Sequence, residues 1–237
     1  EYVGHPLPDE LDRYPKDDGE ALRRELTVPD NSRVIGIFPG SRTAEVEQLT
    51  RDFCQLAREV SPAFEGVSVV ASCFRETFRE KIETAAKEVG VPLTIYEGDA
   101  RRLMMASDLA LVASGTASLE LAYFETPMIV CYRTTKFGLR MFNYFRVTPW
   151  FTLPNIVGAS VTTGQDTVSE SLYWGELGPE IPKIAKGLLW DGEERDAAIE
   201  RLRRLKQVLT PGGIDRAASA LENFLRAAGL SSPTRPE

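Results

Sequence analysis

The chain of 237 residues has few of the side chains that metal sites and nucleic-acid contacts need. It contains one histidine and three cysteines, and Cys54, Cys73 and Cys131 lack the spacing of metal ligands. An odd number of unpatterned cysteines is typical of buried thiols in a reducing cytosol. Lysine and arginine number 28 against 35 aspartates and glutamates. This acidic balance argues against a nucleic-acid partner, because no basic excess exists to neutralise phosphates.

Long apolar runs are also missing. No run approaches the ~20 residues of a membrane-spanning helix, and no signal-peptide pattern is present. A hydrophobic content of 43% is ordinary for a globular domain, so we expect a cytoplasmic protein. The single histidine, His5, fits a hinge or packing role better than that of a catalytic base.

The chain does have a repeated strand–helix rhythm. Strands are predicted at 33–38, 67–71, 92–96, 108–113 and 127–132. Helices are predicted at 44–60, 76–89, 116–125, 178–190, 193–209 and 212–228. Unalternated apolar strands are typical of a parallel sheet with helices on both faces. The sequence therefore predicts an α/β, Rossmann-like fold.

Two strand-to-helix junctions carry small residues. The strand at 33–38 leads into Pro39-Gly-Ser-Arg42, and the strand at 108–113 leads into Ser114-Gly-Thr116. Small residues let backbone N–H groups approach a ligand closely, and a following helix adds partial positive charge. Glu120 lies about one turn further on, within reach of a sugar hydroxyl. Because ligands of parallel sheets bind at the carboxyl ends of strands, the two turns together predict a nucleotide or nucleotide-sugar site.

The candidate ligand-binding residues from these turns are Gly40, Ser41, Arg42, Ser114, Gly115, Thr116 and Glu120. Simpler interpretations stay open for some of them. Gly40 and Gly115 are also what ordinary turns between strands and helices require. Glu120 is also typical of a first-turn carboxylate that the helix dipole stabilises. Arg42 is different, since a cation at a helix amino terminus opposes the dipole and so favours an anionic partner.

Residues 134–151 mix basic and aromatic side chains. One interpretation is a buried helix at a domain or subunit interface. The other is transient contact with a membrane surface, in which lysine and arginine face anionic headgroups while phenylalanine and tryptophan enter the interface. The net charge of −7 restricts any such contact to this local segment.

Five motifs occur in order along the chain. They are Val3-Gly-His-Pro-Leu7 with Asp9, Phe38-Pro-Gly-Ser-Arg42 with Glu45-Val46, Ala113–Glu120, Pro127–Arg133 and Leu153-Pro-Asn155. Together they resemble the carboxyl-terminal half of the lipid-A-disaccharide synthase family, glycosyltransferase family 19. The resemblance covers roughly residues 2–230, and its specificity lies in the ordered set.

The resemblance implies a two-domain GT-B fold in which this half holds the UDP of the donor. The family transfers 2,3-diacylglucosamine from UDP to 2,3-diacylglucosamine 1-phosphate, which yields the β-1,6-linked lipid A disaccharide. It implies no metal and no cofactor. The acceptor site and the catalytic base are expected in the amino-terminal half, outside this chain. Localisation is then cytoplasmic, at the periphery of the inner membrane.

The resemblance also assigns roles to individual residues. Arg42 would bind diphosphate oxygens through its guanidinium fork. Ser114 and Thr116 would hold the diphosphate at the amino terminus of a helix, and Glu120 would accept hydrogen bonds from the ribose. Asn155, expected on a loop, would contribute an amide to the same cleft.

One segment departs from the family pattern. After Asn155 the family usually continues with a short Gly-Arg segment and an acidic residue that is followed three places later by glutamine. Here 156–169 is longer, Glu170 matches the acidic residue, and Tyr173 stands where glutamine is expected. This change puts one nucleotide or donor contact in question and is typical of a divergent subgroup.

We divide the chain accordingly. Residues 1–18 are interpreted as an interdomain linker that is irregular over 1–16, 19–230 as a UDP-sugar-binding domain with carboxyl-terminal helices, and 231–237 as a disordered tail. Two alternatives stay open. One is a non-catalytic UDP-binding module, and the other is a different UDP-N-acetylglucosamine enzyme, of the 2-epimerase or peptidoglycan transferase type.

Overall fold

A parallel sheet forms the centre of the protein. The computed structural model describes residues 5–62, 65–162, 164–209 and 212–227. The strands are β1 Arg33–Phe38, β2 Val67–Ser72, β3 Leu93–Tyr96, β4 Leu109–Ala113, β5 Met128–Arg133 and β6 Ser169–Tyr173. Their order across the sheet is β3-β2-β1-β4-β5-β6, and every neighbouring pair is parallel. The predicted α/β, Rossmann-like fold is therefore confirmed.

Helices cover both faces of the sheet. They are α1 Leu7–Leu11, α2 Asp18–Glu25, α3 Thr43–Val60, α4 Arg79–Val89, α5 Ala100–Ala106, α6 Ala117–Tyr123, α7 Lys136–Phe145, α8 Leu153–Gly158, α9 Ile181–Leu189, α10 Glu193–Val208 and α11 Gly213–Ala227. A short 3-10 turn, Glu76–Phe78, precedes α4, so the helix predicted at 76–89 begins in a tighter geometry.

Strand β1 shows why a strand in the middle of the sheet is apolar at successive positions. Successive side chains of a strand point to opposite faces of the sheet. Ile35 and Ile37 pack into the core formed with α3, α4 and α9, whereas Val34 and Phe38 pack into the core formed with α2, α5, α6 and α10. Both faces are buried, so neither set of positions can be polar.

Ion pairs and hydrogen bonds to Asp108 connect the elements at the amino-terminal ends of the central strands. Asp108 immediately precedes β4 and is buried. Its carboxylate accepts from Arg23 at 2.5 Å, from Arg33 at 3.0 Å and from the backbone N–H of Val34 at 2.8 Å. These bonds join α2, β1 and β4 at the amino-terminal ends of the strands. The small-residue turns lie at the opposite, carboxyl-terminal ends.

The first segment is more ordered than the sequence predicts. The expectation of an irregular conformation is wrong for α1, where Leu7 and Leu11 are buried in the core. The Asp9 carboxylate also accepts hydrogen bonds from the backbone N–H groups of Gly212 and Ile214, which fixes α1 to the start of α11. The linker role stays a prediction. Residues 1–4 and the tail at 231–237 lie outside the described residues.

Two further elements differ from the sequence prediction. The sequence predicts no strand after 127–132, but β6 pairs with β5 over Ser169–Tyr173. Its composition is poor in apolar residues because it is an edge strand with one neighbour. Asn155 is expected on a loop but lies in α8.

Candidate functional site

The two small-residue turns lie side by side. They follow β1 and β4, which are adjacent and paired up to Phe38 and Val112. Both turns line one cleft of about 460 Å³, which we call the turn cleft. Its lining includes seven of the eight predicted site residues, namely Gly40, Ser41, Arg42, Ser114, Gly115, Thr116 and Glu120. The structure thus brings together residues that are up to 80 positions apart, because parallel strands end at the same edge.

The first turn is held by its own side chains. Gly40 has φ of +102°, a region that favours glycine. A Cβ there would meet the Glu45 carboxylate at 2.3 Å. That carboxylate accepts from the backbone N–H of Arg42 at 3.3 Å and from its guanidinium at 2.7 Å. Arg42 is nevertheless 78% exposed, so its guanidinium can turn from Glu45 towards a ligand anion.

The second turn is open. A Cβ on Gly115 would meet nothing within 4 Å, so neither the backbone nor packing explains the glycine there. The N–H of Ser114 donates to the Cys131 carbonyl at 2.9 Å, and the Ser118 hydroxyl donates to the Gly115 carbonyl at 2.7 Å. In α6 the N–H groups of Ser118 and Leu119 already donate to the carbonyls of Gly115 and Thr116, at 3.3 and 2.9 Å, so the donors available to a ligand are those of the turn itself, at Gly115 and Thr116. Small size and available donors are what a phosphate group requires.

Glu120 lies at the far side of the turn cleft and is paired with an arginine. Its carboxylate accepts from Arg101 Nε at 3.0 Å. Arg101 also contacts Glu10 at 3.0 Å and lies over the Tyr14 ring, 5.7 Å from its centroid. The hydrogen bond to Glu120 raises the pKa of Arg101 above its usual value, so the guanidinium stays charged. Arg101 therefore orients the carboxylate from which the ribose contact is expected.

Asn155 does not line the turn cleft. It is fully buried, and its amide nitrogen donates to the Val168 carbonyl at 3.0 Å and to Glu170 at 2.8 Å. Its amide oxygen accepts from the Val168 N–H at 2.8 Å. Glu170 also accepts from the Thr152 hydroxyl at 2.7 Å. In this structure the amide fastens α8 to β6, and its predicted contact with UDP gains no geometric support.

Tyr173, the residue that departs from the family pattern, is also occupied within the fold. It is buried, and its hydroxyl donates to Asp52 Oδ2 at 2.5 Å. Arg133 contacts the same oxygen at 3.1 Å. Burial raises the pKa of Tyr173, and the hydrogen bond to Asp52 raises it further by a smaller amount. Tyr173 thus links the end of β6 to α3 and to the end of β5.

The three cysteines are free and buried, as the sequence predicts. Burial raises the pKa of the Cys54 thiol to about 12 and also raises that of Cys131. Neither thiol supplies a thiolate nucleophile near neutral pH. Over the described residues there is no group of three or more His, Cys, Asp or Glu side chains arranged to hold a metal.

A family model described as lipid-A-disaccharide synthetase matches residues 1–172. The chain belongs to this family. Among curated lipid-A-disaccharide synthases, it is 30% identical to that of Sodalis glossinidius and 33% identical to that of Klebsiella pneumoniae, each over 223 residues. Each alignment covers 93% of this chain and 56% of the relative. The chain therefore spans little more than half the length of these relatives, and it corresponds to their carboxyl-terminal half.

Solved structures agree on the fold. A lipopolysaccharide glycosyltransferase, WaaG, aligns with a TM-score of 0.55 at 12% identity, over 90% of this chain and 52% of WaaG. Anabaena HepE, solved with UDP and glucose, aligns with a TM-score of 0.55 at 16% identity, over 94% of this chain and 55% of HepE. A putative UDP-N-acetylglucosamine 2-epimerase from Listeria monocytogenes aligns with a TM-score of 0.57 at 14% identity, over 95% of this chain and 50% of the epimerase. At these identities the likeness concerns the fold, which is that of half a GT-B glycosyltransferase.

Several residues around the turn cleft were not among the site residues predicted from the sequence. Glu45 is part of a motif, but its contact with Gly40 and Arg42 is visible only in the fold. Arg101 lies on α5 and meets Glu120 across 19 residues, a distance at which no helical spacing gives a signal. Phe74, after β2, lines the turn cleft as well.

Proposed function

We propose that this chain is the donor-binding half of a lipid-A-disaccharide synthase and holds the UDP of UDP-2,3-diacylglucosamine in the turn cleft. The observation that carries the proposal is the pairing of two small-residue turns in one cleft with Glu120, in a member of this family. The two turns suit the diphosphate, and the carboxylate suits ribose hydroxyls.

The chemistry requires donors at the diphosphate. Negative charge builds on the β-phosphate as the bond from sugar to UDP breaks, so fixed donors there stabilise the transition state. The second turn offers backbone N–H groups over open space, and Arg42 offers a guanidinium fork.

The acceptor, 2,3-diacylglucosamine 1-phosphate, and the catalytic base belong to the other half of the enzyme in this proposal. The chain matches 56% of the length of its relatives, so we expect it to bind UDP but to form no disaccharide alone. Disaccharide formation by the isolated 237-residue chain, measured with radiolabelled donor, would contradict this expectation.

Contact with the inner membrane on its cytoplasmic side is the second part of the proposal. Within this chain none of the residues of α7 is buried, so α7 contributes to no core of its own domain. The other interpretation, a helix buried at a domain or subunit interface, stays a prediction. Phe137 is 72% exposed and Tyr144 is 82% exposed, with Arg140 on the same helix. Exposed aromatics beside cations suit the interface of an anionic bilayer. Over the described residues, no helix combines the length and apolarity needed to cross a bilayer.

The membrane contact is tested with vesicles. We expect the chain to sediment with phosphatidylglycerol vesicles and not with phosphatidylcholine vesicles, and a Phe137→Ser and Tyr144→Ser double variant to lose this binding. The matched control is Phe224→Ser, which alters an equally exposed aromatic on α11. Equal binding by the wild type and the double variant would contradict the assignment to α7.

Titration calorimetry tests nucleotide binding. We expect one site for UDP and weaker binding of UMP, because UMP lacks the second phosphate. Absence of UDP binding at millimolar concentration would overturn the proposal. UDP binding that UMP matches would place the phosphate contacts elsewhere and favour the alternative of a nucleotide module without a diphosphate site.

A further inference from the structure

A second cleft lies beside the turn cleft, at the carboxyl ends of β5 and β6. Its volume is about 900 Å³. We call it the Trp174 cleft, and its lining includes Arg42, Glu45, Gln48, Arg51, Tyr132, Arg133, Thr134, Thr135 and Trp174. Arg42 and Glu45 line both clefts, so the two spaces meet at the first turn.

We propose that the Trp174 cleft binds the hexose of the nucleotide sugar, with the ring of Trp174 as the surface on which the sugar packs. This inference rests on the proposed function, because it takes the diphosphate to lie at the two turns. It adds a subsite that lies on a different pair of strands.

The direction of the ligand follows from the order of the sheet. The turns follow β1 and β4, and Glu120, the expected ribose contact, lies in the turn cleft with Phe74 beyond β2. The nucleoside therefore extends towards the β2 side. The group on the other end of the diphosphate must leave past Arg42 towards β5 and β6, which is where the Trp174 cleft begins.

Trp174 is suited to a sugar. Its side chain is exposed to 55% although it directly follows the buried Tyr173. Lys136 Nζ lies over the indole, 5.4 Å from the ring centroid, which holds the ring in place by a cation–π contact. An exposed, oriented aromatic surface packs against the C–H face of a hexose, while its apolar area gains from leaving water.

The wall around Trp174 is held in place by hydrogen bonds and carries a few polar groups. Asp52 is bonded to both Tyr173 and Arg133, so the ends of β5 and β6 are joined to α3 beneath the cleft. Thr134 and Gln48 add a hydroxyl and an amide to the lining, groups that exchange hydrogen bonds with sugar hydroxyls. The residue that replaces the family's glutamine, Tyr173, thus supports the cleft from below without contacting its contents.

The experiment compares UDP with UDP-N-acetylglucosamine on the same variants by titration calorimetry. We expect Trp174→Ala to weaken the binding of UDP-N-acetylglucosamine by about three- to tenfold, the value of one aromatic contact. We expect the same variant to change the affinity for UDP by less than twofold. Trp174→Phe should restore most of the loss, because it keeps an aromatic surface. Trp190→Ala is the matched control, since Trp190 is 41% exposed at the end of α9 and lines neither cleft.

Each other outcome overturns the inference. Equal losses for UDP and UDP-N-acetylglucosamine would place the nucleoside on Trp174, and no loss for either would leave the ring without a sugar contact. A wild type that does not bind UDP at all overturns the proposed function and this inference together. A wild type that binds UDP, with Trp174→Ala indistinguishable from Trp190→Ala, overturns this inference alone.

Discussion

The turns after β1 and β4 share one sequence signature but are built differently. In the first, Gly40 is required by a φ of +102° and by the Glu45 carboxylate beside it. In the second, Gly115 has an ordinary backbone conformation and open space where a Cβ would be. A glycine that the fold needs says little about ligands. A glycine that the fold does not need is the one that we expect to face a ligand.

The same contrast applies to the charged residues of the two turns. Arg42 is exposed and paired with Glu45 within its own helix, so its partner in the absence of ligand is local. Glu120 is mostly buried and is oriented by Arg101 from another helix. Under the proposed function, a nucleotide would compete with Glu45 for Arg42, whereas it would meet Glu120 in a fixed position.

Substitution of Gly115 or Gly40 gives the largest expected effects. Gly115→Val should weaken UDP binding by roughly tenfold to a hundredfold, because the added methyl groups occupy ligand space. It should leave the melting temperature nearly unchanged. Gly40→Ala should cost ~1–2 kcal/mol of unfolding free energy from backbone strain. For a chain of this size that lowers the melting temperature by about 2–8 °C. Calorimetry and thermal melts on both variants would contradict the contrast if the two glycines behaved alike.

Arg42→Ala should weaken UDP by about tenfold and leave uridine unaffected, because its contacts are with phosphate oxygens. Charge-assisted hydrogen bonds contribute ~1.5–3 kcal/mol, and competition from Glu45 places the effect at the lower end. Arg24→Ala, at an exposed arginine of α2 outside the turn cleft, is the control. Equal losses for UDP and uridine would show that Arg42 contacts the base or supports the fold.

Glu120→Ala should weaken UDP by about fivefold, and Glu120→Gln by less, because the amide oxygen still accepts a hydrogen bond. The wild type should prefer UDP over dUDP, and the alanine variant should not distinguish them. Both variants lose part of the pair with Arg101, so melting temperatures are measured alongside. A wild type that binds UDP and dUDP equally contradicts a contact with the 2′-hydroxyl and leaves only the 3′-hydroxyl.

The smallest expected effect is a gain. Glu45→Gln should strengthen UDP binding by about twofold to threefold, since it frees Arg42 from an exposed ion pair of ~0.2–1 kcal/mol. The amide keeps an acceptor for the Arg42 N–H, so the turn should be preserved. Weaker UDP binding by this variant would mean that Glu45 holds Arg42 in its binding position.

The strands and the turns could be predicted because their signals are local. Five of the six strands are mostly apolar in sequence, and each turn directly follows one of them. Strand β6 could not be predicted, since Ser-Glu-Ser-Leu-Tyr is extended only through its pairing with β5 and through the contacts of Glu170. The burial of Asn155 depends on Val168 and Glu170, 13 and 15 residues away.

The site shows the same division. Which residues line the turn cleft follows from the sheet order, so the sequence predicts seven of them. Which of them are already engaged depends on contacts between distant segments, such as Arg101 with Glu120, 19 residues apart. The Trp174 cleft depends on β6 and was therefore beyond sequence reasoning.

The hydrogen bonds from Gly212 and Ile214 to Asp9 join segments 203 and 205 residues apart. Closing so long a loop costs chain entropy, and a sheet already formed between its ends reduces that cost. The hydrogen bonds from Gly212 and then Ile214 lower the pKa of Asp9 from its usual value. A lowered folded-state pKa gives a stabilisation that is complete above the unfolded value and is lost as the pH falls through the folded value. We expect acid to release α11 from α1 while the sheet persists, with faster amide exchange at Gly212 and Ile214 as its first sign.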